Sequence, residues 1–443
     1  MFSKLKNLRG KKEGALAWNT LMLYILTFSN YLLSLAVAPY EARVLTTETT
    51  DGYGALGVAM AIMVYFQLFI DFGFLLSATE EVSRNRQDQS RLNVIMTAVT
   101  ICKLALCVIS LAVLFVLCQL IESWKGKFGF YSLFFIGTAI NALLPDYLYR
   151  GLEKMSAITI RTVCIRAFST LGIFLFLRGP ENMWVIPVLT ALGNLGAIVF
   201  CFYDAKKRLN VRFCRVSFGQ VWLRMKQSSV FFLSRFATTA YSALNTVILD
   251  MVSPSQIMSG GELVNNPVRG YYTSADKLMT TGKQALSPIS DSLYPYMVKN
   301  HDYKLVKKVL LILEPLIFVF CVAVFIFARP LCALFFGEKL AQAGDVLRVM
   351  LPTAVVILPS YVCGFPMLSS MGLAKHANYS TVFGSVIHVI NLAILYLTGN
   401  MNMITLGAAM SVAEILILCY RLVVIWRHRD RLKQKEDTNV EAS

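Results

Sequence analysis

The sequence predicts an all-α integral membrane protein with twelve transmembrane helices. Of its 443 residues 56 % are hydrophobic and 15 % are charged, and the mean hydropathy is +0.59. The apolar residues form continuous runs of about 20, the length a helix needs to cross the hydrocarbon core, and they lack the alternation of a membrane β-barrel. We place the spans at residues 16–39, 54–78, 92–119, 130–149, 156–177, 184–203, 228–250, 271–295, 306–328, 346–369, 377–398 and 403–426.

The N-terminal residues 1–14 carry apolar side chains among lysines, a pattern typical of a short interfacial segment. The first span resembles a secretory signal, because a basic start is followed by an apolar stretch and Ala36-Val37-Ala38. That stretch runs from Ala15 to Val37, longer than the apolar region of a signal peptide, and Pro39 would directly follow a cleavage after Ala38. We therefore predict a retained first helix.

Two six-helix bundles are predicted at residues 15–203 and 228–427, joined by a basic cytoplasmic linker at 204–227. Three short similarities recur in the same order in the two halves, which indicates homologous halves in parallel orientation around a central cavity. The matching pairs are Gly52-Tyr53 with Gly270-Tyr271, Leu144-Pro145-Asp146-Tyr147 with Leu358-Pro359-Ser360-Tyr361, and Gly151-Leu152-Glu153-Lys154 with Gly372-Leu373-Ala374-Lys375.

Basic residues are distributed unevenly between the loops. With the N-terminus in the cytoplasm, 29 of the 42 Lys and Arg residues fall in cytoplasmic segments and 8 fall outside. This asymmetry follows the positive-inside rule and predicts that both termini, including the tail at 428–443, are cytoplasmic. The net charge of +16 then reflects topology and contact with anionic membrane lipid, so no nucleic-acid partner is expected.

The remaining five basic residues lie inside predicted spans. A Lys or Arg at the bilayer centre costs about 2.5–3.5 kcal/mol, so five uncompensated ones would cost on the order of 12–17 kcal/mol. A water-filled cavity enclosed by the helices would remove most of this cost, and a basic cavity favours an anionic cargo. We therefore predict a transporter whose substrate-binding candidates are Lys103, Arg166, Arg235, Lys277 and Lys283.

Polar residues at helical spacing indicate which spans line the cavity. In the eighth span, polar and charged residues recur at intervals of three and four from Asp276 to Tyr294. The seventh span has a similar stripe through Arg235, and the first span adds Asn30 as a further substrate-binding candidate. Hydroxyl stripes also stabilise helix–helix contacts in membranes, so packing remains an alternative for the uncharged positions.

Acidic residues inside the apolar spans are candidates for coupling or gating. They are Asp71, Asp276, Asp291, Glu314 and Glu414. The alternative is that Asp71, Glu314 and Glu414 are structural partners of the buried cations. His388 could face the cavity or form a hydrogen bond within the packed helices.

No motif predicts an enzyme, a cofactor or a metal site. Gly52-Tyr53-Gly54-Ala55-Leu56-Gly57 fits the dinucleotide pattern, but no strand precedes it, and small residues that permit close helix packing are the simpler interpretation. The ten cysteines include no C-x-x-C pair, and the four histidines have no metal-binding spacing. A membrane glycosyltransferase or polymerase would require a large polar loop, and the loops here are short and mostly basic.

Several stretches in a fixed order resemble the bacterial polysaccharide-repeat (O-antigen type) flippases, and the resemblance covers residues 15–425. Two departures are the insertion Thr46-Thr47-Glu48-Thr49-Thr50 and a longer outside loop at 252–269 that is expected to cap the cavity. The similar stretches are residues 39–45, 51–54, 71–74, 81–86, 146–154, 270–277 and 334–339.

The resemblance implies the fold of the multidrug/oligosaccharidyl-lipid/polysaccharide exporters and a location in the bacterial cytoplasmic membrane. It implies that the cargo is an oligosaccharide repeat on a polyprenyl diphosphate, moved to the outer leaflet by alternating access. Partners would be membrane lipid, the glycosyltransferases and the polymerase of the same pathway, and the expected state is a monomer. A peptidoglycan-precursor flippase and a multidrug exporter are the alternatives within this fold.

Overall fold

The computed structural model describes residues 12–48, 50–253, 256–259 and 262–430. These residues form two compact units. The first contains the described residues up to Val44 together with Ala59–Phe236, and the second contains Leu45–Val58 together with the described residues from Ala237 onwards. The predicted interfacial segment and C-terminal tail lie almost entirely outside the described residues.

Helices α1 to α9 account for the regular structure of the first unit, and the ends of α1, α2 and α9 belong to the second unit. Pro39 lies inside α1 and does not end it, since the helix continues for six more residues. Two 3₁₀ turns, Glu122–Trp124 and Pro180–Asn182, connect neighbouring helices. The helices are α1 Lys12–Leu45, α2 Gly52–Asp71, α3 Phe74–Arg84, α4 Gln89–Leu120, α5 Phe128–Ala142, α6 Asp146–Gly151, α7 Met155–Phe176, α8 Val185–Arg208 and α9 Phe218–Val252.

The second unit continues with an antiparallel hairpin and seven further helices. The hairpin strands β1 Gln256–Ser259 and β2 Glu262–Asn265 pair Gln256 with Asn265 and Ser259 with Glu262. This hairpin lies in the 252–269 loop and is an exception to the predicted all-α class. The helices are α10 Val268–Asn300, α11 Tyr303–Ile326, α12 Ala328–Phe336, α13 Ala343–Val362, α14 Leu368–Ser370, α15 Ala374–Leu397 and α16 Met403–Arg427.

Each predicted span coincides with a helix or a pair of consecutive helices. Among the described residues, nine helical stretches are long and apolar enough to cross a membrane. Helix α10 is not among them, because a stripe of polar and charged residues runs along it. Only 6 % of the most apolar 18-residue stretch of α11 is buried, so this helix presents its apolar side chains outward. The protein is an integral membrane protein.

The local structure at the proposed repeats is similar in the two halves. Pro145 lies between α5 and α6, and a residue in the left-handed region, Glu153 at φ 57°, precedes α7. In the other half a π-helical segment, Cys363–Met367, interrupts the chain between α13 and α14, and Gly372 at φ 76° precedes α15. Both halves therefore contain a broken helix followed by a tight turn.

The described structure differs from the predicted domain ranges in the position of residues 45–58 and in the secondary structure of the linker. Residues 45–58 join the C-terminal half, because Asp51 bonds to Gly270 and Gly57 packs against Thr273. The predicted linker at 204–227 is mostly helical, since α8 continues to Arg208 and α9 begins at Phe218. Only residues 209–217 between them are non-helical.

Each unit has its own packed core. In the first unit, buried side chains of α3, α4, α6, α7 and α8 form a core that includes Phe74, Ile95 and Leu148. In the second unit, Met297, Leu358 and Val362 form one cluster between α10, α11 and α13.

Candidate functional site

In the first unit, Lys103 and Asp71 form a buried ion pair. Lys103 Nζ lies 3.2 Å from Asp71 Oδ1 and donates to the carbonyl of Ala142, and the two side chains are 4 % and 17 % exposed. Gln67 donates to the other Asp71 oxygen and accepts from Asn141. This network joins α2, α4 and α5. Because a carboxylate compensates the lysine, its burial costs far less than that of an isolated cation.

The other candidates of the first unit lie on three different helices. Arg166 is an exposed residue of α7 within electrostatic reach of Glu41, and Arg235 is half-buried on α9. Asn30 is half-buried on α1, and its Oδ1 is shielded from solvent and accepts no hydrogen bond from the described residues. These three side chains carry charged or amide groups of the kind that bind a polar ligand.

In the second unit, Lys283 and Glu414 form the shortest ion pair among the candidates. Lys283 Nζ lies 2.6 Å from Glu414 Oε1, and the two side chains are 14 % and 5 % exposed. Asp276 lies on the same face of α10, within electrostatic reach of Lys277 and Lys283. Two lysines and two carboxylates thus meet between α10 and α16, and their formal charges balance.

Asp291 and Glu314 lie apart from this group. Asp291 is exposed near the end of α10. Glu314 is half-buried on α11 beside Pro315, and its Oε2 is shielded from solvent and accepts no hydrogen bond from the described residues. Neither of these acids has an ion-pair partner among the described residues, which distinguishes them from Asp71 and Glu414.

A buried hydrogen-bond network accompanies the Lys283 group. Asn245 Nδ2 donates to the hydroxyl of Tyr272 at 2.8 Å, and its Oδ1 lies 2.8 Å from Nε2 of the fully buried His388. His388 is also within electrostatic reach of Glu414. Asn245 and Tyr272 were not predicted as site residues. Asn245 lies on the same helix as Arg235, and Tyr272 lies one turn before Asp276 on α10. The hydrogen-bonded packing interpretation of His388 agrees with this geometry.

A second group missed by the sequence consists of Asp51, Asp250 and Arg269. Arg269 lies 2.7 Å from Asp250 and 3.4 Å from Asp51, and all three side chains are at least 92 % buried. The backbone N–H groups of Gly54 and Gly270 also donate to Asp51. Arg269 is one of the eight basic residues that the charge distribution assigns to outside loops, and loop position alone carries no signal of burial.

The ion pairs change the expected charge of the membrane-spanning helices. The expected cost applies to five uncompensated cations, whereas Lys103 and Lys283 each contact a carboxylate. Within the described residues no group of three or more His, Cys, Asp or Glu side chains could hold a metal ion. The arrangement therefore offers paired and unpaired charges for binding an ion or an ionic ligand.

The chain is similar over nearly its whole length to proteins of polysaccharide assembly. A family model described as a polysaccharide biosynthesis protein matches residues 16–301. A protein of Shigella dysenteriae with the provisional name O-antigen transporter is 23 % identical over 413 residues, which cover 92 % of this chain and 99 % of that protein. A protein of Escherichia coli K12 with the same provisional name is 23 % identical over 423 residues, covering 94 % and 97 %.

Solved structures of transporters have a similar fold. The lipid II flippase MurJ in its inward closed conformation aligns with a TM-score of 0.66 and 13 % identity, covering 95 % of this chain and 92 % of that chain. An inward-facing multidrug resistance MATE family transporter of the MOP superfamily aligns with a TM-score of 0.67 and 15 % identity, covering 95 % and 99 %. The chain belongs to the polysaccharide biosynthesis protein family and has the fold of the MOP superfamily, which confirms the resemblance indicated by its motifs.

Proposed function

We propose that this protein is a flippase that moves polyprenyl-diphosphate-linked oligosaccharide repeat units across the bacterial cytoplasmic membrane for surface polysaccharide biosynthesis. Two bundles of six helices would alternate between inward and outward access, and no covalent bond would change. The observation that carries the proposal is the group of charged side chains on the membrane helices α10 and α16. The family and the names of the relatives support a lipid-linked glycan as the cargo.

The cations would bind the diphosphate. Arg166 is exposed and Arg235 and Lys277 are half-buried, so the three can approach a ligand. Arginine suits a phosphate because its guanidinium donates two parallel hydrogen bonds. The amide of Asn30 would bind sugar hydroxyls. Membrane lipid would surround the isoprenoid chain, and the protein would work as a monomer with the glycosyltransferases and polymerase of the pathway.

The ion pairs would couple transport to an ion gradient. Opening of the contact between Glu414 and Lys283 would free Lys283 to bind the diphosphate, and the Asp71–Lys103 pair would work in the same way. Asp276, Asp291 and Glu314 are further candidates for this coupling or for gating. Each acid lies inside a predicted membrane span, where the binding of an ion changes the cost of burying a charge.

The proposal is tested with purified protein in liposomes that contain a fluorescent polyprenyl-diphosphate oligosaccharide. We expect the wild type to expose the glycan on the opposite leaflet, and Arg235→Ala and Lys283→Ala to abolish this activity. Lys283→Arg should retain more activity than Lys283→Ala because it keeps the charge. Lys125→Ala, which removes an exposed lysine paired with Glu122, is the matched control and should be fully active.

Different outcomes identify the alternatives. Translocation of lipid II but not of the oligosaccharide-linked lipid would indicate a peptidoglycan-precursor flippase. Export of cationic dyes without movement of either lipid would indicate a multidrug exporter. Full activity of the Arg235→Ala/Lys283→Ala double variant would refute the role of these cations.

A further inference from the structure

A groove lies between α7 and α8, within the first unit. It has a volume of about 810 Å³ and extends from Lys154 and Arg208 to Phe168 and Leu192. From residue 154 to residue 168 it follows α7 for about 21 Å, at 1.5 Å rise per residue. That length exceeds the roughly 15 Å that one leaflet contributes to the hydrocarbon core.

Most of the groove wall is apolar, and its larger apolar side chains are exposed. Ile160 is 63 % exposed, Phe168 49 %, Leu192 53 % and Phe200 47 %. Exposed apolar side chains on membrane-spanning helices contact lipid chains, so the groove must be filled by a hydrocarbon chain in the membrane. The wall alone would accept any lipid.

Charged residues at one end of the groove add specificity. Lys154 directly precedes α7 and Arg208 ends α8, and both are exposed, with the Arg208 side chain 81 % exposed. Arg161 is buried beneath them, where it pairs with Asp146 at 2.8 Å and donates to the sulfur of Cys201. Asp204 accepts a hydrogen bond from Tyr149 and lies 3.4 Å from Arg208. Three cations therefore meet two carboxylates, which leaves one net positive charge.

We propose that this groove binds an anionic phospholipid of the bilayer, with an acyl chain along α7 and α8 and its phosphate between Lys154 and Arg208. One net positive charge complements a phospholipid with one negative charge better than it complements a diphosphate. Long basic side chains at helix ends extend naturally to the headgroup region, where they attract anionic lipid. The site is independent of the cargo proposed above.

Native mass spectrometry of the purified full-length protein tests this site, with phosphatidylglycerol and phosphatidylcholine added in equal amounts. We expect the wild type to retain phosphatidylglycerol preferentially and Lys154→Gln/Arg208→Gln to bind it about tenfold more weakly. Lys307→Gln/Lys308→Gln removes the same charge from exposed positions of α11 and should leave retention unchanged. Equal retention by the groove variant and the wild type would overturn the proposal.

A second variant tests the groove without changing charge. A Cβ added at Gly196 would meet no atom within 4 Å, so Gly196→Leu fills the groove without disturbing the helix packing. We expect it to release phosphatidylglycerol, whereas Gly129→Leu, at another open position, should not. Retention in Gly196→Leu would contradict binding in the groove.

Competition distinguishes the phospholipid from other phosphate compounds. Inorganic phosphate in large excess should not displace phosphatidylglycerol, because it lacks the chain that fills the groove. Displacement by inorganic phosphate, or preferential binding of undecaprenyl phosphate over phosphatidylglycerol, would overturn the assignment to a bilayer phospholipid.

Discussion

Individual charged residues in the membrane helices are stabilised mainly by single, specific partners. Lys283 and Glu414 contact each other at 2.6 Å with little exposure, whereas the Lys125–Glu122 pair is 52 % and 89 % exposed. Removing one member of a buried pair leaves the other charge buried without compensation. An exposed pair contributes little to stability, because water solvates the two separated charges nearly as well as they solvate each other.

Lys283→Ala should therefore lower the free energy of unfolding by about 3–5 kcal/mol, and Lys125→Ala by at most about 1 kcal/mol. Lys283→Met/Glu414→Leu removes both charges and should restore much of the loss. Chemical denaturation in detergent micelles measures all three variants. Equal stability of Lys283→Ala and Lys125→Ala would show that the ion pair has no structural role.

Asp51 gives a prediction about pH, because it precedes α2 and is fully buried. Burial raises the pKa of this carboxyl above its usual range, although Arg269 and two backbone N–H groups favour the ionised form. The unfolded chain then loses this proton at lower pH than the folded chain does. Between the usual pKa near 3.8 and the raised value, stability from this group falls as pH increases.

The melting temperature of the wild type minus that of Asp51→Asn should thus be larger under acid conditions than at neutral pH. Glu122→Gln, which changes an acid that is 89 % exposed, should show no such difference from the wild type. Thermal unfolding of the three proteins in detergent at about pH 4.5 and pH 7 measures this. A wild-type advantage that grows with pH would contradict the assigned direction.

At the scale of elements, close helix contacts depend on the glycines of the Gly52–Gly57 motif. A Cβ at Gly54 would lie 2.6 Å from the backbone nitrogen of Gly270, and one at Gly57 would lie 2.5 Å from the Thr273 methyl group. These contacts lie within the second unit and bring the start of α2 against α10. The packing interpretation of this motif agrees with the geometry.

Gly57→Val should destabilise the protein by about 1–3 kcal/mol, the range for inserting side-chain atoms into a packed interior. Gly282→Val, on α10, is a suitable control because a Cβ there meets no atom within 4 Å. Unfolding in denaturant would compare the two variants directly. A larger loss for Gly282→Val would show that α2 can move away from α10 at little cost.

At the scale of the whole molecule, the distribution of basic residues predicts one topology. The 29-to-8 asymmetry places both termini and the 204–227 segment in the cytoplasm. Reporter fusions after Arg215 should be active on the cytoplasmic side, and fusions after Lys125 or Lys339 should be active outside. An outside location for residue 215 would exclude twelve spans with both termini in the cytoplasm.

The membrane-protein class, the approximate helix positions and the family could all be predicted from the sequence, because apolar run length, charge asymmetry and ordered motifs are properties of the chain itself. It also identified Lys103, Lys283, Asp71 and Glu414 as exceptional, since any ionised residue in an apolar run is costly. Only the tertiary structure decided which acid compensates which lysine, because Lys283 and Glu414 are 131 positions apart. The same holds for the Asp51–Arg269–Asp250 group and the groove at Lys154, since burial and proximity arise only when distant helices pack together.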